Sequence, residues 1–187
     1  MAAPVKRIKE PENELINIPS AKDFLREGAN AQELVISDLI ITSREWLEEE
    51  TGRNFGKSNY ELYLEGFHDF TFPRSPVDID SVEITYNNNE ALPAQNFTIV
   101  SEEDPPRVVF KNVLPNLDDD RFYPVKVSFT SGYTDSNVPK RALTAMKLLM
   151  SFYYGNRDPG SGKVDYTIPI PSRIRHFIGP LKPRRFL

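Results

Sequence analysis

Two helix-forming segments near the ends of the chain enclose a middle with the period of β-strands, and this order constrains the fold most. Residues 31–51 place six apolar side chains on one arc of a helix. Residues 139–154 are apolar nearly all round, which is typical of a buried helix. Between them, residues 60–64 and 82–86 alternate with period two, and residues 97–100, 108–110 and 125–129 are further strand candidates.

We therefore predict an α+β fold. The expected architecture is a bundle-like frame of N- and C-terminal helices, an inserted small antiparallel sheet or sandwich, and a basic C-terminal arm. The expected domain boundaries divide the chain into an N-terminal arm (1–17), a helical connector domain (18–56 with 133–187) and a β-rich insertion (57–132).

Turn and cap residues set the element ends. Ser20 is expected to cap a short helix that runs to Glu27, and Asn30 to cap the long helix, which should stop at Gly52. The run Asn87-Asn88-Asn89 predicts a turn, because Asn tolerates the left-handed backbone.

Composition excludes several classes of function. The chain has 187 residues and no cysteine, so disulfides, thiolate metal sites and thiol nucleophiles are absent. No apolar run approaches the ~20 residues that span a bilayer, and the first residues lack the apolar core of a secretory signal. The formal net charge of -4 argues against general binding to nucleic acid, which depends on phosphate neutralisation.

No catalytic, cofactor-binding or metal-binding motif is present. His68 and His176 are the only two histidines, and neither lies in the sequence context of a nucleophile–base pair. The run Asp118-Asp119-Asp120 lacks the alternate spacing of a calcium loop, so a solvated turn is expected. We expect a protein that is not an enzyme and has no cofactor.

Apolar residues outside the main helical arc predict contacts between subunits. Leu34 and Ile41 form a second, narrow strip on the long helix, which either the β region of the same chain or a neighbouring subunit would cover. The helix 139–154 is too apolar for one small chain to bury alone, so Met146, Met150 and Tyr153 are also predicted at a subunit contact.

The C-terminal segment predicts a docking arm. From Ser172 onward the chain carries basic residues and no acid, and it ends in an apolar pair. Arginines there suit bidentate pairing with carboxylates, and a terminal aromatic suits an apolar pocket. The predicted contact residues are Arg173, Arg175, Lys182, Arg184, Arg185, Phe186 and Leu187.

The chain resembles the head–tail connector, or adaptor, proteins of tailed bacteriophages over most of its length. Three segments carry the resemblance: AKDFLRE with a long helix ending EWLEEETGRNF, the passage VSFTSGYTDSNVPKRALTAMKLLMSFYYGNRD, and the basic end LKPRRFL. The match is one of pattern rather than of a short diagnostic motif. The sequence departs from the family in the loop GANAQE, which lacks acidic residues, and in an ending without tyrosine.

The resemblance implies a structural virion protein at the head–tail junction, made in the host cytoplasm. It implies a homo-oligomeric, usually dodecameric, ring under the portal that contacts the portal protein and the next neck or tail protein. DNA would pass through the lumen without sequence-specific binding. The C-terminal arm would dock on a neighbouring ring, with the portal as the expected partner.

Two other classes of function fit part of the sequence. A stopper or tail terminator is another neck or tail component, although such proteins are usually all-β without flanking helices. A β-rich ligand- or carbohydrate-binding module would need an exposed aromatic platform, for which Phe67, Phe70 and Phe72 are the candidates.

Overall fold

The computed structural model describes residues 4–28, 32–118, 120–156 and 169–183, which form two compact units. The described residues of the first unit, the β unit, fall within Met1–Glu12 and Gly56–Tyr133. Those of the second, the helical unit, fall within Asn13–Phe55 and Thr134–Arg185. The predicted α+β class is confirmed, with two antiparallel sheets and four α-helices in the described residues.

The β unit contains a five-stranded and a three-stranded sheet. Its strands are β1 (Val5–Lys9), β2 (Ser58–Leu64), β3 (Phe70–Thr71), β4 (Val77–Tyr86), β5 (Glu90–Ala91), β6 (Phe97–Val100), β7 (Arg107–Phe110) and β8 (Val125–Ser131). The larger sheet has the order β1-β2-β8-β4-β5, and the smaller has the order β3-β7-β6. All their pairings are antiparallel.

Period-two burial explains the central strands. Alternate residues of β2 and β8 are buried, and the register places Tyr60 opposite Phe129 and Leu62 opposite Val127. The two aromatic rings stack with centroids 5.5 Å apart. These inward faces join Phe72 and Val108 in one apolar core. All five predicted strand segments are confirmed, whereas β1, β3 and β5 were not predicted.

Three residues with positive φ angles fix two turns of the β unit. Asn87 and Asn89 have positive φ angles of 46° and 67°, so the predicted asparagine turn is confirmed. Gly132 follows β8 with φ 133°, and a Cβ built there would lie 2.3 Å from the carbonyl oxygen of Gly56. Only glycine fits this close approach of two backbones.

The helical unit contains α1 (Ile18–Leu25), α2 (Glu33–Thr51), α3 (Lys140–Gly155) and α4 (Ser172–Ile178). A 3-10 turn, Gly179–Leu181, follows α4 directly. On α2, the predicted arc is buried at Ile36, Leu39, Ile40 and Leu47, while Val35 and Trp46 are half-buried. Packing of α3 against α1, α2 and α4 builds the core of this unit.

The ends of the first two helices correct one prediction and confirm another. Asn17, not Ser20, caps α1: its side-chain oxygen accepts a hydrogen bond from the Ser20 backbone N–H at 2.8 Å. The helix ends at Leu25, because Arg26 adopts the left-handed backbone with φ 59°. The predicted end of α2 at Gly52 is confirmed, with φ 71°. Asn30, the predicted cap of α2, lies outside the described residues.

Candidate contact surfaces

The α4 segment is packed into the helical unit. Ile174 and Ile178 on α4 and Leu181 in the following turn are all buried. The Leu181 carbonyl accepts a hydrogen bond from Arg53 Nε at 2.5 Å. The predicted docking arm is therefore part of the core of the helical unit as far as Leu181. The apolar i, i+4 pair on α4 supplies that packing.

Two of the predicted docking cations are paired within the helical unit. Arg175 donates a hydrogen bond to Glu50, and its guanidinium lies 5.6 Å from the centroid of the Trp46 ring. Lys182 Nζ lies 3.6 Å from the other Glu50 oxygen. About half of each cationic side chain stays exposed, so each pair contributes at most ~1 kcal/mol and leaves surface for a partner.

Of the other five predicted docking residues, the structure describes only one. Arg173 is exposed on α4. Arg184, Arg185, Phe186 and Leu187 lie outside the described residues. The portal or neck contact stays a prediction.

The two residues of the apolar strip on α2 differ in exposure. Leu34 is 83% exposed in the first turn of the helix, whereas Ile41 is half-buried. An apolar side chain as exposed as Leu34 is available to a neighbouring protein. The assignment of this strip to a subunit contact also stays a prediction.

The other three predicted subunit contacts are already covered by the chain itself. Met146 and Met150 are fully buried, and Tyr153 is 4% exposed. The premise that one chain could not bury this helix was wrong, because α1, α2 and α4 all pack against α3. These three side chains have no surface left to offer a neighbour. On the outer side of α3, Leu148 is 39% exposed.

A buried charge network, which the sequence analysis did not identify, links α2 to the segment before α1. Arg44 is 2% exposed; its Nε lies 2.9 Å from a Glu14 oxygen and its Nη1 lies 3.0 Å from Glu48. The other Glu48 oxygen accepts the Phe55 backbone N–H at 2.8 Å. The i, i+4 spacing of Arg44 and Glu48 was the available sequence signal, but nothing in the sequence shows that it is buried.

The histidines and the acidic run show no arrangement of a catalytic or metal site in the described residues. His68 and His176 are both exposed, and Asp118 pairs with Arg121 at 3.4 Å. Within the described ranges, no group of three or more His, Cys, Asp or Glu residues is placed to hold a metal ion. None of the described helices is both long enough and apolar enough to span a membrane.

The aromatic platform required by a ligand-binding module is not formed. Phe72 is 1% exposed, and Phe67 and Phe70 pack against the core of the β unit. Phe67 makes edge contacts with Tyr86 and Phe110. These rings stabilise the fold and do not present a flat surface for a sugar.

Comparison with solved structures identifies the fold. One chain from the neck of an empty gene transfer agent (GTA) particle, computed with C6 symmetry, superposes with a TM-score of 0.77 at 19% identity. A chain from the neck of the native particle, computed with C12 symmetry, gives 0.74 at 19% identity. A chain from the native GTA virion gives 0.72 at 18% identity. Each match covers 98% of this chain and 97% of the other.

At these identities the likeness shows a shared fold. No family model matches the chain, and no curated protein matches it. The shared fold includes both the sheets and the helices, since the superpositions cover nearly the whole of both chains.

Proposed function

We propose that this chain is a structural protein of the neck of a tailed phage-like particle, where it forms a ring that joins the DNA-filled head to the tail. The observation that carries the proposal is the fold shared over 98% of the chain with proteins of GTA necks. The resemblance of its sequence to head–tail connectors supports the same role from the residues.

The proposed assembly is a homo-oligomeric ring, dodecameric by the resemblance to connectors. The neck structures that contain the similar chains were computed with C6 and C12 symmetry, which supports a ring. DNA would pass through the lumen without sequence-specific contacts. The net charge of -4 suits this role, because an acidic conduit does not hold a polyanion.

The proposed work of the ring is assembly and sealing, without a chemical reaction. The sequence contains no motif of a nucleophile with its base, and both histidines are exposed. Replacement of both histidines by alanine should therefore leave particle assembly intact.

The proposed contact with the portal lies at the C-terminal end. Arg173 and the last four residues are the principal candidates, since Arg175 and Lys182 already share Glu50. Leu34, with Ile41 beside it on α2, is the proposed apolar contact of the helical unit with a neighbouring subunit.

Two truncations separate docking from folding. A chain ending at Pro183 keeps the buried Leu181 and its hydrogen bond to Arg53, so it should fold normally and no longer co-purify with the portal. A chain ending at Gly179 removes Leu181 and should also lose stability. The charge reversals Arg184→Glu with Arg185→Glu should weaken binding more at low salt than at high salt.

The full chain should form a ring on the portal in electron micrographs of the mixed proteins. Undiminished portal binding by the chain ending at Pro183 would move the contact to another surface. A full chain that never associates with portal or with itself would contradict the proposed function.

A further inference from the structure

Among the described strands, each of the two sheets of the β unit has one long and one short terminal strand. The larger sheet ends at β1 and β5, and the smaller ends at β3 and β6. β3 and β5 have two residues each, whereas β1 has five and β6 has four. Of these four terminal strands, only β1 and β6 are therefore long enough to accept another strand along most of their length. β4 also has an open outer edge before Thr85, but its register against β8 is irregular between Asp78 and Glu83, which makes it a poor template for a further strand.

Both long edges are accessible. On β1, Val5 is 38% exposed and Ile8 is 50% exposed, and on β6 Thr98 is exposed. An edge strand presents N–H and C=O groups that can pair with another chain, and neither strand contains a proline that would prevent this.

The two edges carry opposite charges. β1 displays Lys6 and Lys9 to solvent. β6 runs directly into an exposed turn that contains Glu102, Glu103 and Asp104. Because the two lysines lie near opposite ends of β1, either strand direction brings one of them towards that acidic turn.

Some of these charges have partners in the same chain, and those partners lie at the surface. Glu103 lies 3.3 Å from Arg107, with both side chains nearly half exposed. A hydrogen bond from Lys9, together with its charge, lowers the pKa of the Glu12 carboxyl. Exposed pairs of this kind exchange partners at little cost, so they leave the edges available.

We propose that β1 of one copy pairs edge to edge with β6 of the next copy, so that the five-stranded sheet of one subunit continues into the three-stranded sheet of its neighbour. This inference rests on the proposed function, because it names the contact that would build the ring. Main-chain hydrogen bonds would supply affinity, and the lysines and the acidic turn would supply selectivity.

The charges select a head-to-tail contact. A symmetric pairing of two identical edges is antiparallel, so pairing of β1 with β1 would bring Lys6 of one copy towards Lys9 of the other and is disfavoured. Pairing of β6 with β6 would hold the two acidic turns at opposite ends of the pair, where neither meets a basic strand. Only pairing of β1 with β6 brings a lysine to the acidic turn. A contact between two different surfaces repeats from copy to copy and closes into a ring when the rotation permits.

The absence of cysteine makes this contact directly testable by cross-linking. Ile8→Cys and Thr98→Cys place thiols in the middle of the two exposed edges, and paired strands lie about 4.8 Å apart. With a short bis-maleimide, the double variant should give a ladder of covalent oligomers. A mixture of the two single variants should give dimers only, and each single variant alone should stay monomeric.

A matched control uses the same β1 position. Asp80→Cys, at an exposed position on the open edge of β4, should not cross-link with Ile8→Cys. Self-linking of a single variant would show a symmetric contact and overturn the proposal. Rings seen by electron microscopy without cross-links would overturn it while leaving the proposed function intact, and a chain that forms no ring under any condition would overturn both.

A charge exchange tests the selectivity. Lys6→Glu with Lys9→Glu should reduce the yield of the ladder roughly tenfold, and Glu102→Lys with Glu103→Lys should do the same. All four changes in one chain should restore the yield, since opposite charges face each other again. These side chains are exposed, so circular dichroism should show an unchanged fold. Failure of the fourfold variant to recover would show that the two edges do not meet.

Discussion

Among the described residues, both units of this chain bury apolar side chains, but only the helical unit adds a buried ion network to them. The helical unit buries ions: Arg44 is 2% exposed between two carboxylates. The β unit buries rings: Phe72 lies 4.9 Å from Phe129, and Phe129 lies 5.5 Å from Tyr60, by ring centroids. The comparison shows that the stability of one interior includes the pairing of buried charges, whereas that of the other depends on filled volume.

The difference also decides what each unit tolerates. In the helical unit, Glu48 binds both Arg44 and the Phe55 backbone N–H, so a single change leaves another buried group without its partner. In the β unit the charged side chains lie outside the aromatic core, and a core change leaves a cavity instead.

The largest expected effect is in the aromatic core. Phe72→Ala should lower the free energy of unfolding by about 4 kcal/mol, because it removes a ring that is 1% exposed and leaves a cavity. Chemical denaturation gives the total, and hydrogen exchange locates the loss in the β unit. Phe122→Ala is the matched control, because that ring is 70% exposed and should change stability by less than about 0.5 kcal/mol. Equal effects of the two changes would contradict a core built on Phe72.

A smaller loss is expected from the ion network. Arg44→Leu should cost about 3 kcal/mol, the low end for a broken buried pair, because the Glu14 side chain is 25% exposed and can be hydrated again. Adding Glu48→Gln should recover part of the loss, since it removes the stranded charge and keeps the carbonyl oxygen that accepts the Phe55 N–H.

The control for this network is Glu45→Gln. Glu45 lies 4.0 Å from Arg44, and 57% of its side chain is exposed, so the change should be nearly neutral. Hydrogen exchange should now report the loss in the helical unit. A double variant that is less stable than Arg44→Leu alone would show that the network does not act through charge pairing.

Features that depend on local periodicity were predictable from the sequence. The alternation in residues 60–64 and 82–86 predicted two strands of the larger sheet, and the arc on α2 predicted its buried face. The strand β1 was missed because VKRIK is mostly charged, and it is a strand only because β2 lies beside it. Such pairing depends on residues more than fifty positions away and leaves no local signal.

Prediction of the contact surfaces was limited by tertiary packing. The apolar character of α3 was evident, but the sequence does not show that α1, α2 and α4 cover Met146 and Met150. The same limit applied to Arg175 and Lys182, because their partner Glu50 lies on a helix from the other end of the chain. Periodicity identifies a buried face and not the element that covers it.

The smallest expected effect on stability concerns the N-terminal cap of α1, for which Asn17 and Ser20 are the two candidates. It also tests whether polar pairing stabilises the surface of the helical unit. Asn17→Ala should cost about 1 kcal/mol, because it removes the acceptor for the Ser20 N–H at the start of the helix. Ser20→Ala should cost much less, since that contact uses the backbone of Ser20 and not its hydroxyl. Asn17→Asp is the conservative control and should preserve stability, because aspartate caps as well as asparagine does. Thermal unfolding of the three variants measures the difference, and hydrogen exchange of the first turn of α1 reports it locally. A larger loss from Ser20→Ala than from Asn17→Ala would restore Ser20 as the cap and move the start of the helix.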